Sequence, residues 1–148
     1  MTGYVAVIGP GEPSDIDLLD LARTAGRLLA AQGYVVLTGG LGGVMAAAAE
    51  GASGGTTVAL LPGSDRAAAH GDYSVVVPTG MGEMRNALLV RSADVVLAIG
   101  GAWGTLSEIA LAVRTGVPVV AVRSWDLPEP VQAFDTVEEA VERIGYHL

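Results

Sequence analysis

Cysteine and lysine are both missing from the 148 residues, and only two His, two Trp and one Phe occur. Without Cys there is no disulfide, no thiolate metal site and no cysteine nucleophile, and nothing to indicate a redox compartment. Without Lys there is no Walker A lysine and no Schiff base to pyridoxal phosphate. His70 and His147 are too few for a multi-His metal site and poor material for a Ser-His-Asp triad, so no metal ligand is assigned. Long apolar runs are missing too; none approaches the ~18 residues that span a bilayer. The opening Met1-Thr2-Gly3-Tyr4-Val5 lacks the cationic region and cleavage site of a signal peptide. A soluble, cytoplasmic protein with no membrane partner is expected. Cations are scarce, with eight Arg against sixteen Asp and Glu and a net charge of −8. That argues against a nucleic-acid partner, whose phosphates need clustered cations. A local anion site built from backbone N–H groups remains open.

The chain is rich in apolar residues (51%) and in glycine, with 21 of them, about twice the usual share. This length and composition fit one domain over residues 1–148 with a sizeable core. Short β-branched runs alternate with helical patterns. Strands are expected at Tyr4–Ile8, Tyr34–Leu37, Thr56–Leu61, Ser74–Val77, Asp94–Ile99 and Val117–Val122. Helices are expected at Ser14–Gln32, capped by Ser14, and at Val44–Ala52, Gly82–Ser92, Leu106–Thr115 and Thr136–Ile144. The alternation predicts an α/β fold: one doubly wound, Rossmann-like domain with a mainly parallel sheet of six or seven strands. By analogy with dinucleotide-binding folds the expected strand order is 3-2-1-4-5-6.

In such sheets ligands bind beyond the carboxyl ends of the strands. The unusual residues gather there: Gly9-Pro10-Gly11 after the first strand, and Gly39-Gly40-Leu41-Gly42-Gly43 after the second. Gly82-Glu83-Met84-Arg85-Asn86 follows the fourth, and Gly100-Gly101-Ala102-Trp103-Gly104-Thr105-Leu106-Ser107-Glu108 the fifth. A glycine-rich turn that opens a helix suits a phosphate, through close backbone approach and the helix dipole. Arg85, one of few cations, stands on this edge. Thr105-x-x-Glu108 also has the spacing of a capping box, so Glu108 is open between helix cap and ligand group. Glu83 reads as a helix N-terminal charge and His70 as solvent-exposed. Trp103 and Trp125 are each open between stacking on a base or sugar and packing at a subunit contact. The first loop lacks the third glycine of G-x-G-x-x-G, and the second strand ends at Thr38 without an acidic ribose ligand, so the chain departs from the nicotinamide pattern.

Residues 100–108 resemble the P-G-G-x-G-T-x-x-E signature of the Lonely Guy family, within the SLOG superfamily. Those Rossmann-like phosphoribohydrolases release bases from nucleoside monophosphates and were long mislabelled lysine decarboxylases. The resemblance covers Val5 to about Val122. It implies catalytic roles for Glu108 and Arg85. It also implies ligand or phosphate contacts from Gly9, Gly39, Gly40, Gly42, Gly43, Asn86, Gly100, Gly101, Ala102, Trp103, Gly104 and Thr105. Gly100 stands where the family has Pro, Ala102 where it has Gly, and Asn86 where it has Lys. Arg85-Asn86, Ser92-Ala93-Asp94 and Gly104 to Ala110 are more similar to a sister branch that contains the molybdenum-cofactor carrier proteins. DNA-processing protein A resembles the chain more distantly, and the negative charge argues against its function here.

Two functions follow from the resemblance. One is hydrolysis of an N-glycosidic bond in a nucleoside monophosphate, with no required cofactor. The other is non-catalytic carriage of the molybdenum cofactor, or sensing of a nucleotide. The absence of Lys excludes a pyridoxal-dependent decarboxylase. The family resemblance and the Ala-rich helical surfaces predict a homodimer or homotetramer. Light scattering at micromolar concentration is expected to show at least twice the single-chain mass; a purely monomeric species would refute the assembly.

Overall fold

The computed structural model describes residues 2–13 and 15–148. The chain runs β1 (Tyr4–Ile8), α1 (Asp17–Ala31), β2 (Val35–Thr38), α2 (Val44–Gly51) and β3 (Thr57–Leu61). It continues with β4 (Val75–Pro78), α3 (Arg85–Ser92), β5 (Val95–Ile99), α4 (Trp103–Thr115), β6 (Val119–Val122), β7 (Gln132–Phe134) and α5 (Val137–Gly145). Single 3-10 turns occupy Arg66–Ala68 and Gly82–Met84. The described strands form one seven-stranded parallel sheet, an α/β Rossmann-like fold.

β1 shows how the pattern builds two layers. Its residues alternate across the sheet, and all but Tyr4 are buried. Val5 and Val7 join Leu18, Ala22, Leu29, Val44, Val137 and Ile144, from α1, α2 and α5, on one face. Ala6 and Ile8 join Leu89 and Ile109, from α3 and α4, on the other. α1 presents the expected stripe, with Leu18, Ala22, Ala25 and Leu29 buried. The cap read for Ser14 lies outside the described residues. α5 begins at a side-chain N-cap: Thr136 Oγ1 accepts from the Glu139 N–H at 3.2 Å and donates to the Glu139 carboxylate at 2.9 Å.

The strand order is β4-β3-β2-β1-β5-β6-β7, which corrects the expected 3-2-1-4-5-6. The fourth strand lies at the edge beside β3, and the fifth takes the place beside β1. Burial matches the new order. β4 is partly exposed throughout and ends in Pro78, which suits an edge. All five residues of β5 are buried, which suits a strand paired on both sides and covered on both faces. β7, only three residues long, carries too little pattern to be read in advance. The chain therefore reverses direction across the sheet after β4. The loops that follow β1 and β5 flank that switch point.

α1 and α2 lie side by side because two glycines let their backbones touch. A Cβ on Gly26 would collide with the Ala48 carbonyl oxygen and come within 2.9 Å of its carbon. A Cβ on Gly51 would meet the Arg23 carbonyl oxygen. Alanine in an exposed helix gains about 1 kcal/mol over glycine. Here Gly26→Ala is expected to destabilise by about 1–3 kcal/mol, since overpacking outweighs propensity. A urea midpoint equal to or above that of the native chain would contradict this packing.

Candidate functional site

A cavity of about 470 Å³ opens at the carboxyl ends of β1, β2, β3 and β5. Its polar lining comes from Glu83, before α3, from Arg85 and Asn86 at the start of α3, and from Thr105 and Glu108 in α4. Gly9, Ala102 and Gly104 also line it. The sheet topology brings these groups together: α3 ends the run that crosses to β5, and α4 leaves β5 directly.

The first turn of α4 corrects the capping-box expectation. The helix begins at Trp103, three residues before the expected Leu106, and its N-cap is Ala102 in an extended conformation. No side chain among the described residues caps it. Thr105 is thus the third helical residue and Glu108 the sixth, too deep to serve the N-terminus. The first intrahelical bond runs from the Leu106 N–H to the Ala102 carbonyl at 2.9 Å. The N–H groups of Trp103, Gly104 and Thr105 precede it and point out of the helix end, where the dipole is positive.

Three polar side chains here are buried at a cost. Arg85 is 6% exposed, Thr105 2% and Glu108 8%. Arg85 Nη1 donates to Asn86 Oδ1 at 2.7 Å, but buried Arg85 Nε and Thr105 Oγ1 have no partner. An unpaired buried polar atom costs about 1–3 kcal/mol, so each implies something the folded chain alone does not supply. Among the described residues Arg85 and Glu108 form no ion pair within 4 Å, yet each feels the other. Burial lifts the Glu108 carboxyl from 4.5 to about 7, and the Arg85 charge opposes the rise. Burial likewise lowers the Arg85 guanidinium, and Glu108 holds it up. A carboxyl shifted this far by burial in a cleft is a functional-site candidate.

The glycines divide by what surrounds them. Gly39 makes room for Arg85: a Cβ there would strike Nη1 and sit 2.9 Å from Cζ. Gly9 touches the Ile99 carbonyl and Val44, Gly40 touches Leu61 and Ala59, and Gly43 touches the carbonyls of Pro10 and Gly11. Gly100 lies against Leu18 and Pro10, and Gly101 beneath Trp125. These six positions let loops and side chains close on one another. Gly104 has open space around it, and Gly42 has only ordinary neighbours. Thr38 is fully buried; its Oγ1 accepts the Gly40 N–H at 3.0 Å and shares a 2.6 Å hydrogen bond with the Tyr73 hydroxyl. Trp103 stands exposed beside the cavity rather than in its lining, while His70 and Glu83 are exposed. Leu41, Met45, Pro62 and Gly82 line it too, with Pro10, Gly11 and Glu83. The sequence signal of the first four was only their place after β2, after β3 and before α3. A second hollow of about 480 Å³ opens by the starts of β6 and β7, where Glu129 and His147 are exposed.

The sequence profile of the SLOG cluster4 family matches residues 2–145. A molybdenum cofactor binding protein from Rippkaea orientalis has a similar structure, with 34% identity, 99% of this chain and 97% of that one covered, and a TM-score of 0.92. The molybdenum cofactor carrier protein of Chlamydomonas reinhardtii gives 29% identity, 99% and 98% coverage, and a TM-score of 0.89. A cytokinin riboside 5'-monophosphate phosphoribohydrolase from Mycobacterium tuberculosis is 31% identical over 82% of this chain and 71% of its own.

The raised Glu108 carboxyl has a consequence for stability. Between pH 4.5 and about 7 the folded chain holds a proton that the unfolded chain has lost. Stability from this group therefore falls as pH rises through that window, with the full cost above it. Glu108→Gln buries no charge. It is expected to exceed the native chain by up to about 3 kcal/mol at pH 8, and by little at pH 5. Urea unfolding at the two pH values checks this; a variant less stable by the same amount at both would give Glu108 a structural role.

Proposed function

The chain belongs to the SLOG cluster4 family, and we propose that it binds a phosphorylated small molecule in the cavity between Arg85 and α4, as a carrier of a cofactor of the molybdenum-cofactor type. The observation that carries the binding reading is that Arg85, Asn86, Thr105 and the uncapped first turn of α4 line one cavity. A phosphate would supply acceptors to the free N–H groups of that turn and to the guanidinium beside it. The backbone N–H groups of Trp103 to Thr105 would take its oxygens at the positive end of the helix. Arg85 would add a charge-assisted bond, with Asn86 fixing the guanidinium from behind. A cavity of about 470 Å³ suits a ligand of nucleotide size.

Carriage is supported by the likeness to proteins described as binding or carrying the molybdenum cofactor, which extends over 97% or more of both chains. The departures at Asn86, Gly100 and Ala102 from the Lonely Guy pattern support it further. One observation favours a second reading. Glu108 caps nothing, is buried at a cost and faces the cavity. In a phosphoribohydrolase, water would add its hydroxyl to the ribose C1' while its proton goes to the departing base. An ionised Glu108 would stabilise positive charge developing on the sugar and orient that water. Burial raises the Glu108 carboxyl to about 7, which brings its titration toward the neutral range that proton transfer uses.

Thermal unfolding with adenosine monophosphate, adenosine and ribose 5-phosphate tests the phosphate site. The phosphorylated compounds are expected to stabilise more than adenosine, by ~2.7 kcal/mol at a hundred times the dissociation constant. Arg85→Ala is expected to erase the difference. Equal shifts for all three would refute the site. Chromatography of adenosine monophosphate incubated with the protein separates the readings. Carriage predicts no free adenine, with a phosphorylated pterin in the mass spectrum of native material. Adenine release that falls a hundredfold or more in Glu108→Gln would instead establish the hydrolase.

A further inference from the structure

Both tryptophans of the chain lie on the β6 side of the first turn of α4. Trp125 is half-buried and fixed in three ways. Its Nε1 donates to the Ala102 carbonyl at 3.1 Å. Its ring lies over Gly101, where a Cβ would sit 3.1 Å from Nε1 and 3.2 Å from Cδ1. Arg123, with φ 51°, turns the chain out of β6 toward it; no other non-glycine residue among those described has a positive φ. Trp103 leans on this support, with ring centroids 5.1 Å apart and planes at 42°. It is nevertheless 77% exposed, more than any other large hydrophobic side chain described.

A propped indole with an uncovered face is costly to leave in water, and such residues are enriched where something binds. Its position says what that something is. Ala102 and Gly104, its neighbours on either side, both line the cavity. Successive Cα atoms are about 3.8 Å apart, so the Trp103 backbone stands at the cavity rim, with its indole turned onto Trp125. The Trp103 N–H belongs to the same uncapped turn that receives the phosphate in the reading above. Trp103 is not among the residues that line the cavity, so a ligand anchored there meets the indole only where it extends past the rim.

We propose that Trp103, supported by Trp125, is a stacking platform for the planar heteroaromatic ring, purine or pterin, of the phosphorylated ligand. The inference rests on the phosphate site proposed above and adds the class of group at the ligand's other end. A tryptophan face accepts any flat heteroaromatic ring, because stacking reads the π surface and not the ring's hydrogen-bonding edge. The platform therefore selects for a ring against a bare sugar phosphate, and leaves the choice between purine and pterin to other contacts.

The test measures dissociation constants of the full chain for adenosine monophosphate, neopterin monophosphate and ribose 5-phosphate by equilibrium dialysis, with tryptophan emission recorded in parallel. At least one ring-bearing ligand is expected to bind about tenfold or more tighter than ribose 5-phosphate and to change the emission. Trp103→Ala is expected to remove that advantage by weakening the ring-bearing ligand about tenfold more than ribose 5-phosphate, while Trp103→Phe keeps most of it. Whichever ring ligand responds identifies the source. Ring ligands no tighter than ribose 5-phosphate, or a Trp103→Ala variant that keeps their advantage, would overturn the platform and leave the phosphate site standing. Equal weakening of all three would reduce Trp103 to a support for the helix end. A lowered oligomeric mass with unchanged ring affinity would make it a subunit contact. Binding of none of the three would overturn the phosphate site and this inference with it.

Discussion

β1 and β5 lie side by side at the centre of the sheet, with all of β5 and four of the five residues of β1 buried. The chain leaves β1 for α1 on one face and leaves β5 for α4 on the other. The two exits cannot both pack closely over the strand ends, and the crevice between them is the cavity. Everything polar in it depends on that pairing. Gly9 packs against the carbonyl of Ile99, the last residue of β5, and so fixes the distance between the exits at its minimum. A side chain there would push the first loop off α2 and change the shape of the site.

Around the crevice the packing is unusually intolerant of side chains. Gly43 lies on the carbonyls of Pro10 and Gly11, Gly100 on Leu18 and Pro10, and Gly39 on the Arg85 guanidinium. Six of the 21 glycines thus bring three loops and one cation into a small volume. It is a different use from the direct ligand contact that glycine-rich loops suggest on sequence grounds. Gly104, with open space around it in the first turn of α4, keeps the direct use.

Stability is given up at this point in the fold. Arg85, Thr105 and Glu108 are buried, and two of their polar atoms have no partner. Apolar residues of similar size would pack there at lower cost. Local departures of this kind concentrate where a protein works. Glu108 illustrates it best: with Thr105 three residues before it, the sequence offers a helix cap, and the fold declines the offer by starting α4 at Trp103.

The sequence by itself determined the alternation of strands and helices, the two-faced burial of the central strands and the edge of the sheet where unusual residues gather. These follow from local periodicity and from glycine and proline placement, which act within a few residues. It also determined the exclusions that rest on missing Lys and Cys. Only the tertiary structure decided that the fourth strand goes to the edge and the fifth to the centre, because strand order depends on which strands must be covered on both sides. Likewise Arg85 could be read as well placed, but not as buried with an unpartnered Nε. Glu108 could not be separated from a cap until the helix start was fixed. Trp125 as the prop of Trp103 joins residues 22 positions apart through an unassigned stretch after β6, and no local pattern reports such a contact. Burial, partner loss and close approach are properties of chain segments brought together from a distance, and the pairing of β1 with β5 is what brings them together here.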